Sequence, residues 1–375
     1  MRWDVFTNNL NASPHVSYLI PISPSITHGT YIMKYDTSVL LILTGGTISM
    51  GESPKTGALA PLDKERMLKL IPELEMLPVN VSSVSFDPMI DSSDVEPSFW
   101  VKIAETIRDN YDKYDGFVVL HGTDTMAYSA SAVSFMFRHL RKPVIFTGAQ
   151  LPLGVLRSDA KENVMNAIEI AAAKKEGKPI VPEVAVFFED ALMRGNRTTK
   201  KSTEFFNAFY SYNYPDLAKS GVHIKYAPVH IMHDETDKPL VVNTKFDNNL
   251  VVLTLFPGIR PDVVEMVFRI PKLRAVVLKS FGAGNAPSAP WLYDALKKGT
   301  DAGIVVVNVS QCQIGRVEMG LYETSLNLQK AGVLSGYDMT IETAVTKLMH
   351  LLGNYVDPQD IMDRMKISLC GEMTV

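Results

Sequence analysis

Ser38-Val-Leu-Leu-Ile-Leu-Thr-Gly-Gly-Thr-Ile48 decides the fold class. An aliphatic run with no polar residue from Val39 to Leu43 suits a strand covered on both faces, and the glycine pair behind it suits a tight turn. The pattern returns three times: Phe117-Val-Val-Leu before His121-Gly-Thr-Asp-Thr, Val144-Ile-Phe before Thr147-Gly-Ala-Gln, and Val184-Ala-Val-Phe-Phe. Helix-like segments lie between these runs, so the chain reads as α/β, with a mainly parallel sheet flanked by helices. One helix is marked by Asp159 and Glu162 as a capping-box-like start, by Val164, Ile168 and Ala171 or Ala172 on one face, and by Lys174 and Lys175 in the last turn.

Between Ser202 and Asn249 the rhythm lapses into aromatic and polar sequence that reads as the interdomain connection, then resumes at Leu250-Val-Val-Leu-Thr-Leu, Ala275-Val-Val-Leu and Gly303-Ile-Val-Val-Val, with a closing helix near Thr340 to Leu352. This predicts an N-terminal extension over 1–37, a larger α/β domain over 38–225, a linker over 226–249 and a smaller C-terminal α/β domain over 250–375.

Bulk properties remove several function classes. With a net charge of −4 and no long basic run, the 375-residue chain has no electrostatic footprint for nucleic acid or a membrane surface. No apolar run reaches the length of a membrane span. Two cysteines, Cys312 and Cys370, are too few for a disulfide framework and fit a reducing, cytoplasmic setting. The first 30 residues carry no secretory apolar region.

In open parallel sheets, ligands bind beyond the carboxyl ends of the strands, so the turns after the runs are the places to look for chemistry. Three of them are rich in threonine and glycine. Turn geometry alone asks for such residues, but three together, with Asp124 among them, point to a hydroxyl nucleophile. A threonine needs a base to take its proton; Asp124 beside Thr123 and Lys200 in Arg194-Gly-Asn-Arg-Thr-Thr-Lys are the candidates. There is no G-x-S-x-G elbow and no phosphate loop, and Gly282-Ala-Gly-Asn lacks the third glycine of a dinucleotide fingerprint. His230-Ile-Met-His has no third ligand to make a metal site, and His121 reads as a turn histidine bonded to the backbone. Neither a metal nor another cofactor is expected.

At these residues the sequence resembles the bacterial-type L-asparaginase family, and within it the type I, cytoplasmic branch. Thr44-Gly-Gly-Thr-Ile and His121-Gly-Thr-Asp-Thr are similar to the two family signatures, while Asp91-Ser-Ser-Asp, Phe146-Thr-Gly-Ala-Gln-Leu-Pro and Ser280-Phe-Gly-Ala-Gly-Asn-Ala-Pro are similar to type I landmarks. The resemblance implies a two-domain fold, hydrolysis of L-asparagine without a cofactor, and a homodimer or a tetramer built from dimers. It implies Thr47 as primary nucleophile and Thr123, Asp124 and Lys200 as a second cluster. Asp91, Ser92, Ser93, Thr123, Asp124 and Ala149 would bind substrate, with Asp124 on its ammonium and Ser92 on its α-carboxylate. The segment from Gly51 to Pro61 lacks the tyrosine that many relatives use to activate the first threonine, and Tyr322 matches a position from which some type I relatives supply one across a subunit interface. Thr199, Lys279 and Cys312 match a regulatory asparagine site in which Lys279 replaces an arginine. Two other readings are an amidotransferase subunit, for which Met1 to Thr37 is too short to form the extra domain, and a silent binder of asparagine.

Overall fold

The computed structural model describes residues 36–52, 59–61, 69–320 and 323–375. All but the last two residues of the extension expected over 1–37, and Tyr322, therefore lie outside the described residues. The first sheet and its helices follow in chain order as β1 (Ser38–Gly45), β2 (Asn80–Ile90), α1 (Pro97–Asn110), β3 (Gly116–Leu120), α2 (Met126–Met136), β4 (Val144–Thr147), α3 (Ala160–Ala172), β5 (Val184–Phe188), β6 (Ala191–Arg194), β7 (Ala218–Lys219) and β8 (Lys225–Tyr226). The eight strands lie in the order β8-β7-β6-β5-β4-β3-β1-β2. β2, β1, β3, β4 and β5 run parallel, and β6, β7 and β8 each turn back antiparallel.

Residues 39–43 and 117–120 are buried to 3% exposure or less, as strands covered on both faces require. Alternate side chains feed two cores. Leu41, Val118, Ile145 and Phe187 point to one face with α3, whereas Ile42, Phe117, Phe146 and Val186 point to the other with α1 and α2. Each such side chain contributes about 1.5–3 kcal/mol on removal from water.

The second sheet holds β9 (Leu250–Thr254), β10 (Ala275–Ser280), β11 (Val305–Ser310) and β12 (Leu334–Ser335), all parallel, with α4 (Pro261–Val267), α5 (Pro290–Asp301), α6 (Glu323–Lys330), α7 (Ile341–Asn354) and α8 (Pro358–Met365). Thr340 caps α7 by accepting the Thr343 N–H at 3.2 Å. Helix α7 also meets the first domain, where Ser131 of α2 lies 3.2 Å from the Thr343 hydroxyl.

Three expectations needed revision. The stretch after Ser202 is not all connection, because β7 and β8 extend the first sheet. Asp159 does not cap α3: the Ser158 hydroxyl accepts the Ala160 N–H at 3.1 Å, and the Asp159 carboxylate turns elsewhere. Lys174 and Lys175 fall beyond the last turn of α3, and Lys174 pairs with Asp115 at 2.9 Å.

Two buried histidines tie stability to pH. Burial lowers His121 from 6.5 to about 4, against a smaller opposing pull from its bond to Gly122, and burial alone lowers His350 to about 4. The unfolded chain therefore takes up these protons at a higher pH than the folded one. Stability is fully present above about 6.5 and is lost as pH falls toward about 4, by roughly 3 kcal/mol for each histidine. Melting temperature should fall across this window, and less steeply in His350→Gln; an unchanged slope would contradict the assignment.

Candidate active site

β1 connects to β2 on one side of the sheet, whereas β3 connects to β4 on the other. The chain therefore leaves the carboxyl ends of β1 and β3 in opposite directions and opens a crevice between them. The turn after β1 carries Thr47 and the turn after β3 carries Thr123, so the sheet order itself brings the two threonine motifs together.

Glycine makes the approach close. Gly46 has φ +76°, and a Cβ on it would lie 2.2 Å from the Gly122 Cα. A Cβ on Gly122 would lie 2.5 Å from the Ser92 hydroxyl. Three segments remote in sequence thus touch through backbone that tolerates no side chain. Gly46→Ala should cost about 2–5 kcal/mol, from left-handed strain plus overpacking. A melting temperature equal to wild type would contradict this packing.

Thr47 begins a 3₁₀ turn (Thr47–Ser49) and is partly exposed, while Ile48 beside it is fully buried and anchors the turn. Across the crevice, the Lys200 Nζ lies 2.8 Å from the Thr123 Oγ1 and 2.7 Å from the Asp124 Oδ1. Lys200 is held by a short antiparallel ladder, Thr199–Lys200 against Phe209–Tyr210. Its side chain is 16% exposed and that of Asp124 63%, so the lysine is largely buried and the carboxylate is open to solvent.

Ser92 is buried, and its Oγ accepts the Asp124 N–H at 3.3 Å; its carbonyl accepts the Thr125 hydroxyl at 2.6 Å. The serine therefore keeps its own O–H for another acceptor. Asp91 caps the 3₁₀ turn Ser92–Asp94, and the Ser93 N–H, followed by the Ser93 hydroxyl, holds its carboxyl below the usual range. Ala149 is buried, and a Cβ on the neighbouring Gly148 would lie 3.3 Å from the Thr123 methyl.

Other residues prove to be scaffold. The Thr44 and Thr147 hydroxyls donate to the Leu120 and Phe187 carbonyls at 2.8 and 2.9 Å. His121 bonds the Gly122 carbonyl through Nδ1 at 2.7 Å, which places the proton there because a carbonyl only accepts. Its Nε2 then accepts from Ser129, whose oxygen accepts from the Trp100 indole at 3.0 Å. Sequence reasoning missed Asp159 and Asn163 as supports of the site. Asp159 accepts the Gln150 and Leu151 N–H groups at 3.0–3.1 Å, and Asn163 donates to the Gly148 carbonyl at 3.0 Å, fixing the loop beside Thr123. The Asp159 signal was visible but matched a helix cap.

Of the three regulatory candidates, Lys279 lies in β10 and pairs with Val309 of β11, the strand that Cys312 follows by two residues. Thr199 instead donates to Glu342 of α7 at 2.6 Å. A cavity of about 630 Å³, lined in part by Phe137, His139, Glu183, Arg194 and Asp234, lies where β4 and β5 begin. It contains none of the predicted site residues and is remote from the crevice.

Two family profiles match the chain: "Asparaginase, N-terminal" over residues 38–231 and "Glutaminase/Asparaginase C-terminal domain" over residues 249–365. The chain belongs to the asparaginase family. Its relatives include L-asparaginase 1 of Escherichia coli, 44% identical over 343 residues that cover 90% of this chain and 98% of that one. The human 60 kDa lysophospholipase is 38% identical over 90% of this chain and 61% of its own length. Among solved structures, L-asparaginase I from Vibrio cholerae superposes with a TM-score of 0.82 at 41% identity, covering 90% of this chain and 99% of that one. In this asparaginase-family chain, the matched regions contain both threonine motifs, the Ser92 turn and Lys200.

Proposed function

We propose that this protein is an L-asparaginase that hydrolyses the side-chain amide of L-asparagine to L-aspartate and ammonia. The observation that carries the reading is the Lys200 amine lying within hydrogen-bond reach of both Thr123 and Asp124, in a crevice whose other lip is Thr47. Asp124 receives the substrate ammonium, and the Ser92 hydroxyl with nearby backbone N–H groups receives the α-carboxylate. Charge-assisted bonds at both ends fix the amide near its attacker.

Thr47 is the nucleophile. Its Oγ forms a bond to the amide carbon as the hydroxyl proton passes to the amide nitrogen, the C–N bond breaks and ammonia leaves; water then cleaves the resulting ester to aspartate, one of its protons restoring the Thr47 hydroxyl. Lys200, 2.8 Å from the Thr123 hydroxyl and 2.7 Å from Asp124, ties the second threonine to the carboxylate that receives the substrate ammonium and serves as the proton acceptor of that cluster. Tyr322 from a partner subunit supplies the tyrosine missing near Thr47, which requires a homodimer or a dimer of dimers. The domain limits are 38–225 and 250–375 about a 226–249 linker, and the setting is cytoplasmic. Among the described residues, no helix is long and apolar enough to cross a membrane.

The first test is ammonia release from asparagine and from glutamine by the purified chain. Asparagine should be preferred by about 10- to 200-fold, the discrimination that one methylene supports. Inactivity on both would favour a silent binder. Because Lys279 cannot reproduce the bidentate grip of an arginine on a carboxylate, the dependence of velocity on asparagine should be hyperbolic. A sigmoidal curve that Lys279→Ala makes hyperbolic would contradict this.

A further inference from the structure

The segment that delivers Lys200 is held from behind by the end of the chain. Arg194, Asn196 and Arg197 are each 3% exposed or less, and all three reach into the C-terminal residues. Arg197 donates from Nε to the Gly371 carbonyl at 2.8 Å and from Nη2 to the Thr374 hydroxyl at 3.2 Å, and its Nη1 lies 2.9 Å from Asp338. Arg194 donates to the same Gly371 carbonyl at 3.3 Å, and Asn196 to the Cys370 carbonyl at 2.9 Å.

The tail is itself locked. Glu372 is fully buried, pairs with the fully buried Lys347 at 2.7 Å, and accepts the Leu369 and Cys370 N–H groups at 2.8–2.9 Å. Gly371 has φ +79°, and a Cβ there would lie 2.5 Å from the Arg194 Nη1. The Thr374 N–H donates to Asp338 at 2.8 Å, so tail and arginine share one carboxylate.

The bonds from Arg194, Asn196 and Arg197 thus fasten the tail to the stretch three to six residues before Lys200, while the tail's own bonds fix it in place. We propose that residues 368–374 form a clamp that positions the amine of Lys200 against Thr123, so that Arg197 and Gly371 are positioning residues for the reaction. The proposal rests on the reading of Lys200 given above. A tail shift passed along Arg197-Thr-Thr-Lys would move the amine relative to the Thr123 hydroxyl, and a displacement near 1 Å costs about 100-fold in rate.

The test uses the full-length chain with Gly371→Ala and Arg197→Lys, assayed for kcat, KM and the pH dependence of kcat per folded molecule, well below each melting temperature. The expected result is a kcat lowered by about 10- to 100-fold, KM changed by less than about threefold, and a displaced pH profile. Should Gly371→Ala fail to fold, Ser368→Ala, which removes only the hydroxyl on Glu372 and the Gly371 N–H, carries the same expectation at smaller size. A clamp variant that melts earlier but keeps the wild-type kcat and pH profile would overturn the proposal. Lys200→Met is measured alongside: if it keeps the wild-type kcat, the reading of Lys200 fails, whereas its loss of activity together with fully active clamp variants isolates the failure to the clamp.

Discussion

Thr47→Ala is expected to lower kcat on asparagine by at least about 10⁴-fold, the scale seen when a hydroxyl nucleophile is removed. The folded state should be nearly unaffected, because Thr47 is partly exposed while the buried Ile48 holds the turn. KM should change little, since on the reading proposed above the carboxylate of Asp124 and the hydroxyl of Ser92, not Thr47, bind the substrate's charged groups. The sign of the effect distinguishes the two threonines. A variant that loses binding rather than turnover would place Thr47 among the substrate contacts and give the nucleophile's part to Thr123. Steady-state ammonia release, with melting temperature as the check on folding, decides the matter.

Lys200→Met should cost about 10²- to 10⁴-fold in kcat, the range for loss of a positioned proton acceptor. Methionine keeps most of the length of the stem but neither donates nor accepts where the amine lies, 2.8 Å from Thr123 and 2.7 Å from Asp124. The loss should be nearly the same as that of Thr123→Ala, and the double variant should be scarcely worse than either alone, because groups that act as a unit are not additive. Additive losses would separate the lysine from the threonine and return Asp124 to consideration as the base.

The parts of this molecule that were legible in its sequence share one physical cause. β1, β3, β4 and β5 are buried on both faces, so their aliphatic runs had no other reading, and their sequence order carried Thr47 and Thr123 to the same end of the sheet. β2 was not legible. As an edge strand it sets Val81 and Val84 three positions apart among serines, which breaks the period of two, and Asn80-Val-Ser-Ser-Val-Ser is too polar to separate from a loop. Asp159 was seen and misassigned, because a helix start offers an aspartate two sets of N–H groups and sequence names only the nearer set. The clamp was invisible for a different reason: Arg197 and Gly371 are 174 positions apart, and polar contacts of that separation leave no periodicity to read.

The central claim is that a threonine of the β1 turn carries the chemistry. Rapid quenching of wild-type enzyme with asparagine, followed by peptide mapping for an aspartyl ester, tests this most directly. The ester is expected on Thr47; an ester on Thr123, or ammonia release that proceeds at the wild-type rate in Thr47→Ala, would contradict that role.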